Sequence, residues 1–573
     1  MNNKWNYRPP TSLEKEQIDG LAKELSIHPI LSSLLFKRGI TTIKEAQAFF
    51  HPQLSDLHDP FLMKDMQLAV DRLNKALQEN ERVLVYGDYD VDGTTAVALV
   101  YKFLNKFYTN LDYYIPDRYG DGYGVSKEGI DYAVSTGVSL IIVLDCGIKD
   151  VKEVAYAKEN GVDFIICDHH VPDDELPDAA AILNAKCIDN TYPYTHLSGC
   201  GVGFKFMQAF AKNNNIDFKY LISLLDLVAV SIAADIVPIM GENRILAYHG
   251  LKRLNTHPST GLKAICSICG INNKEITFND IVFKIGPRIN ASGRIQNGKK
   301  TVDLLVENDE EKALEKGNEI DLYNEQRKSL DKSMTEEAHK YVQELPGLSE
   351  RKSIVIFNEN WHQGVIGIVA SRLTELYYKP SIVLTCMNNV ATGSARSVDG
   401  FDLYTAIDSC RDLLENFGGH TYAAGLSLKV ENVPIFIERF EKYVAEHISK
   451  EQMKANIDVD AEIDFKTITP AFYRQLKLFN PFGPNNPKPI FCTHHVYDYG
   501  TSKVVGRDQN HIKLELVDNK SNNVMNGIAF GQSSQARLIK TKRSFDICYS
   551  IEENTHKHGE VQLQIEDIKP TID

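Results

Sequence analysis

The stretch VLVYGDYDVDGTTAVALV at residues 83–100 is the feature that most constrains the fold of this chain. Between two apolar runs it carries aspartates at three alternate positions, namely Asp88, Asp90 and Asp92. The first run predicts a buried strand, whereas Gly93 breaks the extension and the second run predicts a helix, with Thr94 or Thr95 near its N-cap. Because side chains alternate along a strand, the three carboxylates project to one side at its carboxyl end. Ligands bind at that edge of an open α/β sheet.

A calcium loop and a plain polar turn are the two alternatives to a strand-end site for these aspartates. An EF-hand loop requires a preceding helix and a bidentate Glu at its twelfth position. The sequence instead predicts a strand before Asp88 and has Leu99 at the twelfth position, which excludes calcium. A polar turn alone would leave three repelling carboxylates together, and a bound cation resolves that repulsion.

Length and composition describe an ordinary globular protein. The 573 residues predict about three to four domains, and 43% hydrophobic with 24% charged residues is typical of folded chains. We expect a cytoplasmic protein without membrane attachment, because the N-terminus lacks a secretory signal and no segment is long and apolar enough to span a bilayer. The net charge of −14 argues against indiscriminate adhesion to nucleic acid but allows a basic channel.

The ten cysteines are scattered along the chain, as is usual in a reducing compartment. Cys266 and Cys269 form the one CxxC. Without a second pair or a nearby histidine, they are interpreted as two core residues, with a metal or redox role as the alternative.

Strands and helices alternate along much of the chain, which predicts the α/β class with two α/β lobes joined by a long helix. Short alternating strands near the C-terminus predict a small β-barrel. The predicted segments are an N-terminal segment at 1–70, a first lobe with a parallel sheet at 71–305, a long connecting helix at 306–345, a second lobe at 346–450 and the barrel at 451–573. The helix itself is expected from Glu311 to about Leu345 as an exposed strut. Residues 479–489 predict a linker or a structured turn.

Two further strand ends carry matching chemistry. The run IIVLDCG contains Asp145, and FIICDHH ends on Asp168, His169 and His170. Because the carboxyl ends of parallel strands share one edge, we expect these side chains beside the three aspartates of the first strand. Carboxylates with one or two imidazoles suit Mn²⁺ or Mg²⁺ better than a structural zinc site. Adjacent residues of an extended chain point in opposite directions, so one histidine can bind metal while the other faces substrate.

These motifs resemble those of the DHH phosphoesterase superfamily. The segments YDVDG, LDCG and DHH are similar, in this order, to its first three motifs, and VSIAADIVP, which contains Asp235, is similar to the fourth. The segment GGHTYAAG at 418–425 resembles the signature of the DHHA1 domain. Within the superfamily, GDYDVDG, DRYGDGYG, GPRINASGR, WHQGVIGIVASRL and NPFGPNNPKPIF resemble the RecJ exonuclease family. The likeness implies that the two lobes are a DHH and a DHHA1 domain and that the barrel is OB-like.

The resemblance also implies a centre of two ions, Mn²⁺ or Mg²⁺. Its ligands by position are Asp90, Asp92, Asp145, His169 and Asp235, with Asp145 as the bridge. Many members of the superfamily have a His four residues before the first ligand, where this chain has Tyr86. Because a phenol is a poor ligand at neutral pH, the metal at this position is then either weakly held or has its coordination completed by Asp88 and water. Asp226 is the alternative for the fourth motif, although its apolar helical surroundings favour a capping or core role.

Catalytic and substrate-binding roles follow from the same resemblance. His170, Asp145 and Asp168 are expected to be catalytic, with His170 contacting the scissile phosphate or leaving oxygen, and a structural His170 is the alternative. The residues expected to bind substrate are Arg118, Arg288, Arg294, Arg396, Gly419 and His420. Arginine suits phosphate, but each arginine alone more often forms a surface ion pair. On the barrel, the residues expected to meet a single strand are Lys503, Arg507, His511, Lys513, Tyr499 and Phe530, with an ordinary solvated face as the alternative.

The function implied by the resemblance is 5′-to-3′ exonuclease action specific for single-stranded DNA, in DNA repair and recombination. The expected partners are single-stranded DNA, a single-strand-binding protein and a RecQ-like helicase, and the chain is expected to be a monomer. Two alternatives stay open. One is a DHH phosphodiesterase acting on short oligonucleotides or cyclic dinucleotides, and the other is a non-catalytic DNA-binding relative.

Overall fold

The computed structural model describes residues 3–120, 122, 124–387, 389–541, 543–554 and 559–571. Asp121 and Tyr123 of the predicted DRYGDGYG motif lie outside the described residues. The chain forms two compact units. Unit 1 comprises Met1–Asp56, Pro238–Met240 and Asn456–Asp573, and unit 2 comprises Leu57–Val237 and Gly241–Ala455. None of the described helices combines the length and the apolar character needed to cross a membrane.

The N-terminal part of unit 1 is one strand and three helices. They are β1 Lys4–Tyr7, α1 Ser12–Leu25, α2 Pro29–Lys37 and α3 Ile43–Phe50. The helices α1 and α3 each begin with a capping box, formed by Thr11 with Glu14 and by Thr42 with Glu45. Their buried apolar residues share one core with the C-terminal strands of unit 1. The segment predicted at 1–70 is therefore divided between the two units.

The first lobe of unit 2 is a parallel sheet covered by helices. Its elements are α4 Met66–Gln78, β2 Arg82–Gly87, α5 Val91–Leu104, β3 Leu111–Tyr114, α6 Lys127–Ser135, β4 Val138–Leu144, α7 Val151–Glu159, β5 Asp163–Cys167, β6 Ala181–Leu183, α8 Gly199–Asn213, α9 Lys219–Ile222, α10 Leu225–Ala234, α11 Gly241–Thr256, α12 Thr260–Ile268, α13 Phe278–Asp280, a π-helical turn Ile281–Ile285, α14 Gly286–Ile295 and α15 Lys299–Leu305. The strands run in the order β3-β2-β4-β5-β6, and all four pairings are parallel. The predicted α/β class is confirmed.

The junction between β2 and α5 corrects one prediction. The strand ends at Gly87, and the Asp90 side chain caps α5 by accepting a hydrogen bond from Gly93 N at 3.0 Å. The predicted N-cap at Thr94 or Thr95 is therefore wrong, because a carboxylate four or five residues earlier already satisfies the first helical amides. Asp92 lies in the first turn of the helix and not on the strand.

A helix of 35 residues, α16 Glu310–Glu344, leads from the first lobe to the second. Its start is capped by Asp309, and small and apolar residues at helical spacing bury one face of it. The elements of the second lobe are β7 Ile354–Phe357, α17 Gln363–Tyr377, β8 Ser381–Met387, β9 Val390–Arg396, α18 Leu403–Asp408, β10 Leu414–His420, β11 Ala423–Lys429 and α19 Val433–His447. The sheet order is β10-β11-β9-β8-β7, with only β7 and β8 parallel. The long helix and the second lobe agree with the predicted fold.

The rest of unit 1 contains a small closed barrel. The elements after β12 Asn456–Val459, which pairs with β1, are β13 Ala461–Glu462, α20 Pro470–Lys477, β14 Phe491–Asp498, β15 Lys503–Val505, β16 His511–Asp518, β17 Val524–Ala529, α21 Ala536–Ile539, β18 Phe545–Glu553 and β19 Val561–Pro570. The strand order is β13-β14-β18-β19-β17-β16-β15, and the additional pairing of β14 with β16 closes a ring of five strands. Residues 479–489 form a structured turn in which the buried Asn486 donates to the carbonyls of Phe479 and Pro481.

Candidate metal centre

Acidic and imidazole side chains converge at the carboxyl edge of the parallel sheet. His169 follows β5, and its Nε2 lies 3.1 Å from Asp145 Oδ1, which follows β4. The same nitrogen lies 3.5 Å from Asp235 Oδ2 at the end of α10 and 3.9 Å from Asp92 Oδ2 at the start of α5. Three of the predicted ligand carboxylates therefore surround the one predicted ligand histidine.

Asp92 is fixed by the amino end of α8. Its carboxylate accepts hydrogen bonds from Gly199 N at 2.6 Å, Cys200 N at 2.8 Å and Ser231 Oγ at 2.7 Å. Backbone amides at a helix start attract a carboxylate and hold it in one orientation. Gly199 is required for this arrangement, since a Cβ there would lie 2.5 Å from Asp145 Cβ and 2.6 Å from Asp145 Oδ1.

Asp145 has a backbone conformation that is rare for a residue with a side chain. Its φ is +63°, and its amide donates to Cys167 O at 2.9 Å. The left-handed conformation of a non-glycine residue costs about 1–3 kcal/mol and is concentrated at functional sites. The strand pairing holds this conformation and directs the carboxylate toward His169.

Three groups of ligand atoms have all their members within 4.8 Å of one another. They are Asp92 with His169 and Asp235, Asp88 with Asp90 and Asp145, and Asp145 with His169 and His170. Asp145 belongs to two of these groups, and its contact with His169 links it to the first. This is the arrangement that two neighbouring ions with a shared carboxylate require.

The donor set fits hard divalent cations. Burial raises the pKa of Asp145 well above its ordinary value, and the neighbouring charges of Asp92 and Asp90 raise it further. Burial and the same two aspartates raise the pKa of Asp235 to about 9. Within the described part of the chain, the buried atoms Asp88 Oδ1 and Asp235 Oδ2 have no hydrogen-bond partner. Oxygen ligands with an imidazole suit Mn²⁺ or Mg²⁺, whose charge would offset this repulsion.

Asp168 is in none of the described ligand groups and orients the neighbouring histidine. It accepts hydrogen bonds from the backbone amides of Ile148, His169 and His170 and shares a 2.7 Å contact with His170 Nδ1. Burial opposes ionisation, but the hydrogen bond and charge of His170 lower the pKa of Asp168 to about 2. Burial lowers the pKa of His170, yet the hydrogen bond to Asp168 and the charges of Asp168, Asp92 and Asp90 together raise it above its ordinary value. Asp168 thus orients the ring of His170.

The sequence left the ligand roles of three residues undecided, namely Tyr86, Asp88 and Asp226. Tyr86 OH donates to Gly124 O at 3.0 Å and accepts from Ser126 N at 3.1 Å, which engages the phenol within the lobe. Asp88 instead belongs to a ligand group, although it was not among the five predicted ligands. In the sequence, the alternate spacing of Asp88 with Asp90 and Asp92 was the feature that indicated a ligand role for Asp88. Asp226 accepts from Ser259 N at 2.6 Å and is in none of the described ligand groups.

Four arginines of unit 2, Arg118, Arg294, Arg327 and Arg396, form what we term the arginine group. Burial lowers the pKa of Arg294 to about 10, and the charges of the other three contribute to the lowering. None of the ion pairs among described residues involves a member of the group. Arg327, on α16, was not predicted. The predicted Arg288 is separate, because its Nε donates to Asp321 Oδ1 at 2.8 Å.

The segment Gly418–His420, at the end of β10 in the second lobe, is electrostatically coupled to His170 of the centre. Gly419 has φ +147°, and a Cβ there would lie 2.4 Å from Ala423 O, so no side chain fits. Burial lowers the pKa of His420, and the charges of His170, Lys149 and Lys186 lower it further. Lys186 was not predicted either; its charge acts on Asp235 and Asp168.

The predicted strand-binding face of the barrel is partly aromatic and partly basic. Tyr499 and Phe530 are more than half exposed, and the Phe530 ring lies 5.2 Å from the His511 ring. Lys503 and Lys513 are directly opposite each other on β15 and β16. Exposed aromatic rings beside lysines are typical of surfaces that hold single strands.

Comparison with known proteins identifies the family. Three family domains match: the DHH family N-terminal domain at residues 82–232, the DHHA1 domain at 350–446 and the RecJ OB domain at 459–567. The single-stranded-DNA-specific exonuclease RecJ of Haemophilus influenzae is 31% identical over 570 residues, which cover 96% of this chain and 98% of that protein. The chain belongs to the RecJ family.

Other RecJ proteins agree with this assignment. The single-stranded-DNA-specific exonuclease RecJ of Bacillus subtilis is 37% identical over 520 residues, 90% of this chain, and the match spans 65% of that protein's length. The crystal structure of Thermus thermophilus RecJ with Mn²⁺ superposes with a TM-score of 0.84 at 25% identity, covering 100% of this chain and 80% of that one.

For this RecJ-family chain we expect Mn²⁺ to raise the midpoint of thermal unfolding. A ligand at about 100 times its Kd stabilises the folded state by about 2.7 kcal/mol, which corresponds to about 5 °C or more in a large domain. Differential scanning fluorimetry with and without Mn²⁺ measures the shift. Asp235→Asn should reduce it, whereas Asp131→Asn, which changes an exposed carboxylate of α6, should preserve it. An equal shift in both variants would place the stabilising ion elsewhere.

Proposed function

We propose that this chain is a metal-dependent exonuclease specific for single-stranded DNA. The observation that carries the proposal is the pair of ligand groups linked through Asp145 in a chain with the domains of the RecJ family. Asp92, His169 and Asp235 would hold one ion, and Asp88 and Asp90 the other, with Asp145 shared between them. The ions are Mn²⁺ or Mg²⁺.

Each residue of the site has a definable task in phosphodiester hydrolysis. Two divalent ions, when bound, lower the pKa of a shared water and stabilise the attacking and leaving oxygens. Asp92 is held rigid by the amino end of α8, and Asp145 by the pairing of β4 with β5. Protonated His170, oriented by Asp168, donates a hydrogen bond to the scissile phosphate or the leaving oxygen and offsets the developing charge there.

The arginine group supports recognition of a strand end. Its guanidiniums lack carboxylate partners among described residues and suit a terminal phosphate, which carries more charge than an internal one. We assign this group to the 5′-terminal phosphate, which gives the 5′-to-3′ direction. Gly419 and His420 contact the strand near His170. The barrel offers a separate surface for single-stranded DNA.

Arg396→Gln should reduce kcat/KM about 10- to 100-fold on strands with a 5′-phosphate, since a charge-assisted hydrogen bond contributes about 1.5–3 kcal/mol. The Arg396 guanidinium is held by Ser394 Oγ at 2.9 Å and Ala395 O at 2.8 Å, so it is preorganised for an anion. Steady-state rates on 5′-phosphorylated and 5′-hydroxyl strands measure the effect. Arg439→Gln, an arginine paired with Asp412 on the outside of the same lobe, is the matched control. Equal losses on both strands would refute the end-recognition role.

The function is tested with single strands labelled separately at the 5′ and 3′ ends, a duplex and a cyclic dinucleotide, all with Mn²⁺. Early release of 5′-labelled mononucleotide from single strands, with the duplex intact, is the expected result. Cleavage confined to the dinucleotide would favour a phosphodiesterase of short substrates, and binding without cleavage would favour a non-catalytic relative. Early release of the 3′ label would reverse the proposed direction.

The cellular setting is part of the same proposal. The chain would act in the cytoplasm as a monomer in DNA repair and recombination, with a single-strand-binding protein that delivers substrate and a RecQ-like helicase that unwinds it. Light scattering tests the oligomeric state, and stimulation of cleavage on partly duplex DNA tests each partner.

A further inference from the structure

A cavity of about 320 Å³ opens on the first lobe away from the metal centre. Among the residues that line it are Lys102, Lys106, Arg253, Ser259, Thr260 and Asn308. Lys102 is ten residues after Asp92 on α5, so it lies roughly 15 Å from the centre at a rise of about 1.5 Å per residue. The metal centre and the arginine group share no residue with this cavity.

Three cations face the cavity without a carboxylate on its lining. Lys102 Nζ donates to the backbone carbonyls of Leu305 at 3.2 Å and Val306 at 3.4 Å and to Asn308 Oδ1 at 3.3 Å, all of which are neutral acceptors. Lys106 is in none of the ion pairs among described residues, and its Nζ lies 5.5 Å from the Tyr220 ring.

Arg253 and the start of α12 complete the wall. Arg253 Nε donates to Ser223 O at 2.8 Å and is 3.9 Å from the buried Asp226. Asp226 also accepts a hydrogen bond from Ser259 N. This one carboxylate therefore positions both Arg253 and Ser259, although it does not itself line the cavity. The amino end of α12, a helix of nine residues, begins at Thr260 and adds partial positive charge. Asp226, the alternative metal ligand, thus has a structural task here.

We propose that this cavity binds a small phosphate-bearing ligand, a mononucleotide, with its phosphate between Lys102, Lys106 and Arg253. Three cations in one cavity repel each other, and a dianionic phosphate relieves that repulsion. The volume is at the lower end of the range of small-molecule sites, which suits one nucleotide and not a polymer. The proposal is independent of the exonuclease activity.

Isothermal titration of the full chain with dTMP, and separately with inorganic phosphate, tests the site in EDTA, where cleavage does not occur. We expect Lys106→Gln and Arg253→Gln each to weaken dTMP binding at least ten-fold. Lys152→Gln, a change at an exposed lysine of α7, should leave it unchanged. Circular dichroism melting verifies that each variant is folded. If Arg253→Gln is not folded, the result for Lys106→Gln decides the test.

Each outcome of the titration decides the proposal. Affinity for dTMP at least ten-fold above that for inorganic phosphate, with the expected losses, supports a nucleotide site. Equal affinity for dTMP and inorganic phosphate, with the same losses in the variants, supports an anion site that recognises the phosphate group alone. No heat from either ligand at millimolar concentration overturns the proposal. Loss of binding in Arg396→Gln but not in Lys106→Gln also overturns it, because the ligand then lies in the arginine group.

Discussion

Asp145→Asn should abolish hydrolysis of single-stranded DNA, lowering kcat by at least about 10³-fold, as expected when a central electrostatic contact of an active site is lost. The asparagine keeps the size of the side chain but removes the charge that Asp145 contributes to two of the three ligand groups. It also keeps a residue that tolerates the left-handed backbone at this position. Initial rates with 5′-labelled strands at saturating Mn²⁺ measure the change.

Asp226→Asn is the matched control for this experiment. Asp226 is also fully buried in the first lobe, but its carboxylate binds Ser259 N and lies beside Arg253 instead of facing His169. We expect it to lower the unfolding midpoint while cleavage stays within a few-fold of the native rate. If Asp145→Asn retained substantial activity, or if Asp226→Asn were the inactive variant, the ligand assignment would be wrong.

Gly199→Ala should lower cleavage by about 10²-fold or more, the usual cost of displacing a reacting group by about 1 Å. The added methyl would lie 2.5 Å from Asp145 Cβ, so the bridging carboxylate or the start of α8 must move. The amides of Gly199 and Cys200 that hold Asp92 would move with the helix. Mn²⁺ titration by electron paramagnetic resonance, together with the cleavage rate, measures both consequences.

Gly20→Ala is the comparison for Gly199→Ala. Gly20 is inside α1, and a Cβ there meets nothing within 4 Å. Alanine should stabilise that helix by about 1 kcal/mol and leave cleavage unchanged. Native metal affinity in Gly199→Ala would show that the amino end of α8 does not position the centre.

Local pattern predicted most of the framework of the metal centre. Strand runs that end on Asp145 and on Asp168–His170 placed those residues at one sheet edge, because parallel strands share their carboxyl ends. The contribution of α8 was not predictable. Gly199 and Ser231 are more than 100 residues away from Asp92, and nothing in their local sequence indicates that they bind its carboxylate.

The same limit explains why the cap of α5 was wrongly predicted and why Arg327 was not singled out. Asp90 and Thr94 are both good caps, and only the position where the strand stops decides between them. Arg288 is on α14 and Arg327 is on the connecting helix α16. Asp321 engages Arg288, whereas no described carboxylate pairs with Arg327. Such choices depend on the tertiary neighbours, which a sequence pattern does not reveal.

The closed ring of strands in unit 1 has a consequence for the behaviour of the protein at high concentration. Because β14 pairs with both β18 and β16, the order of the described strands in this sheet ends in β13 and β15, which have two and three residues. Short terminal strands, one of them beginning with Lys503, give a neighbouring molecule little backbone to extend. Many copies crowded along one stretch of DNA would thus resist edge-to-edge aggregation through their barrels.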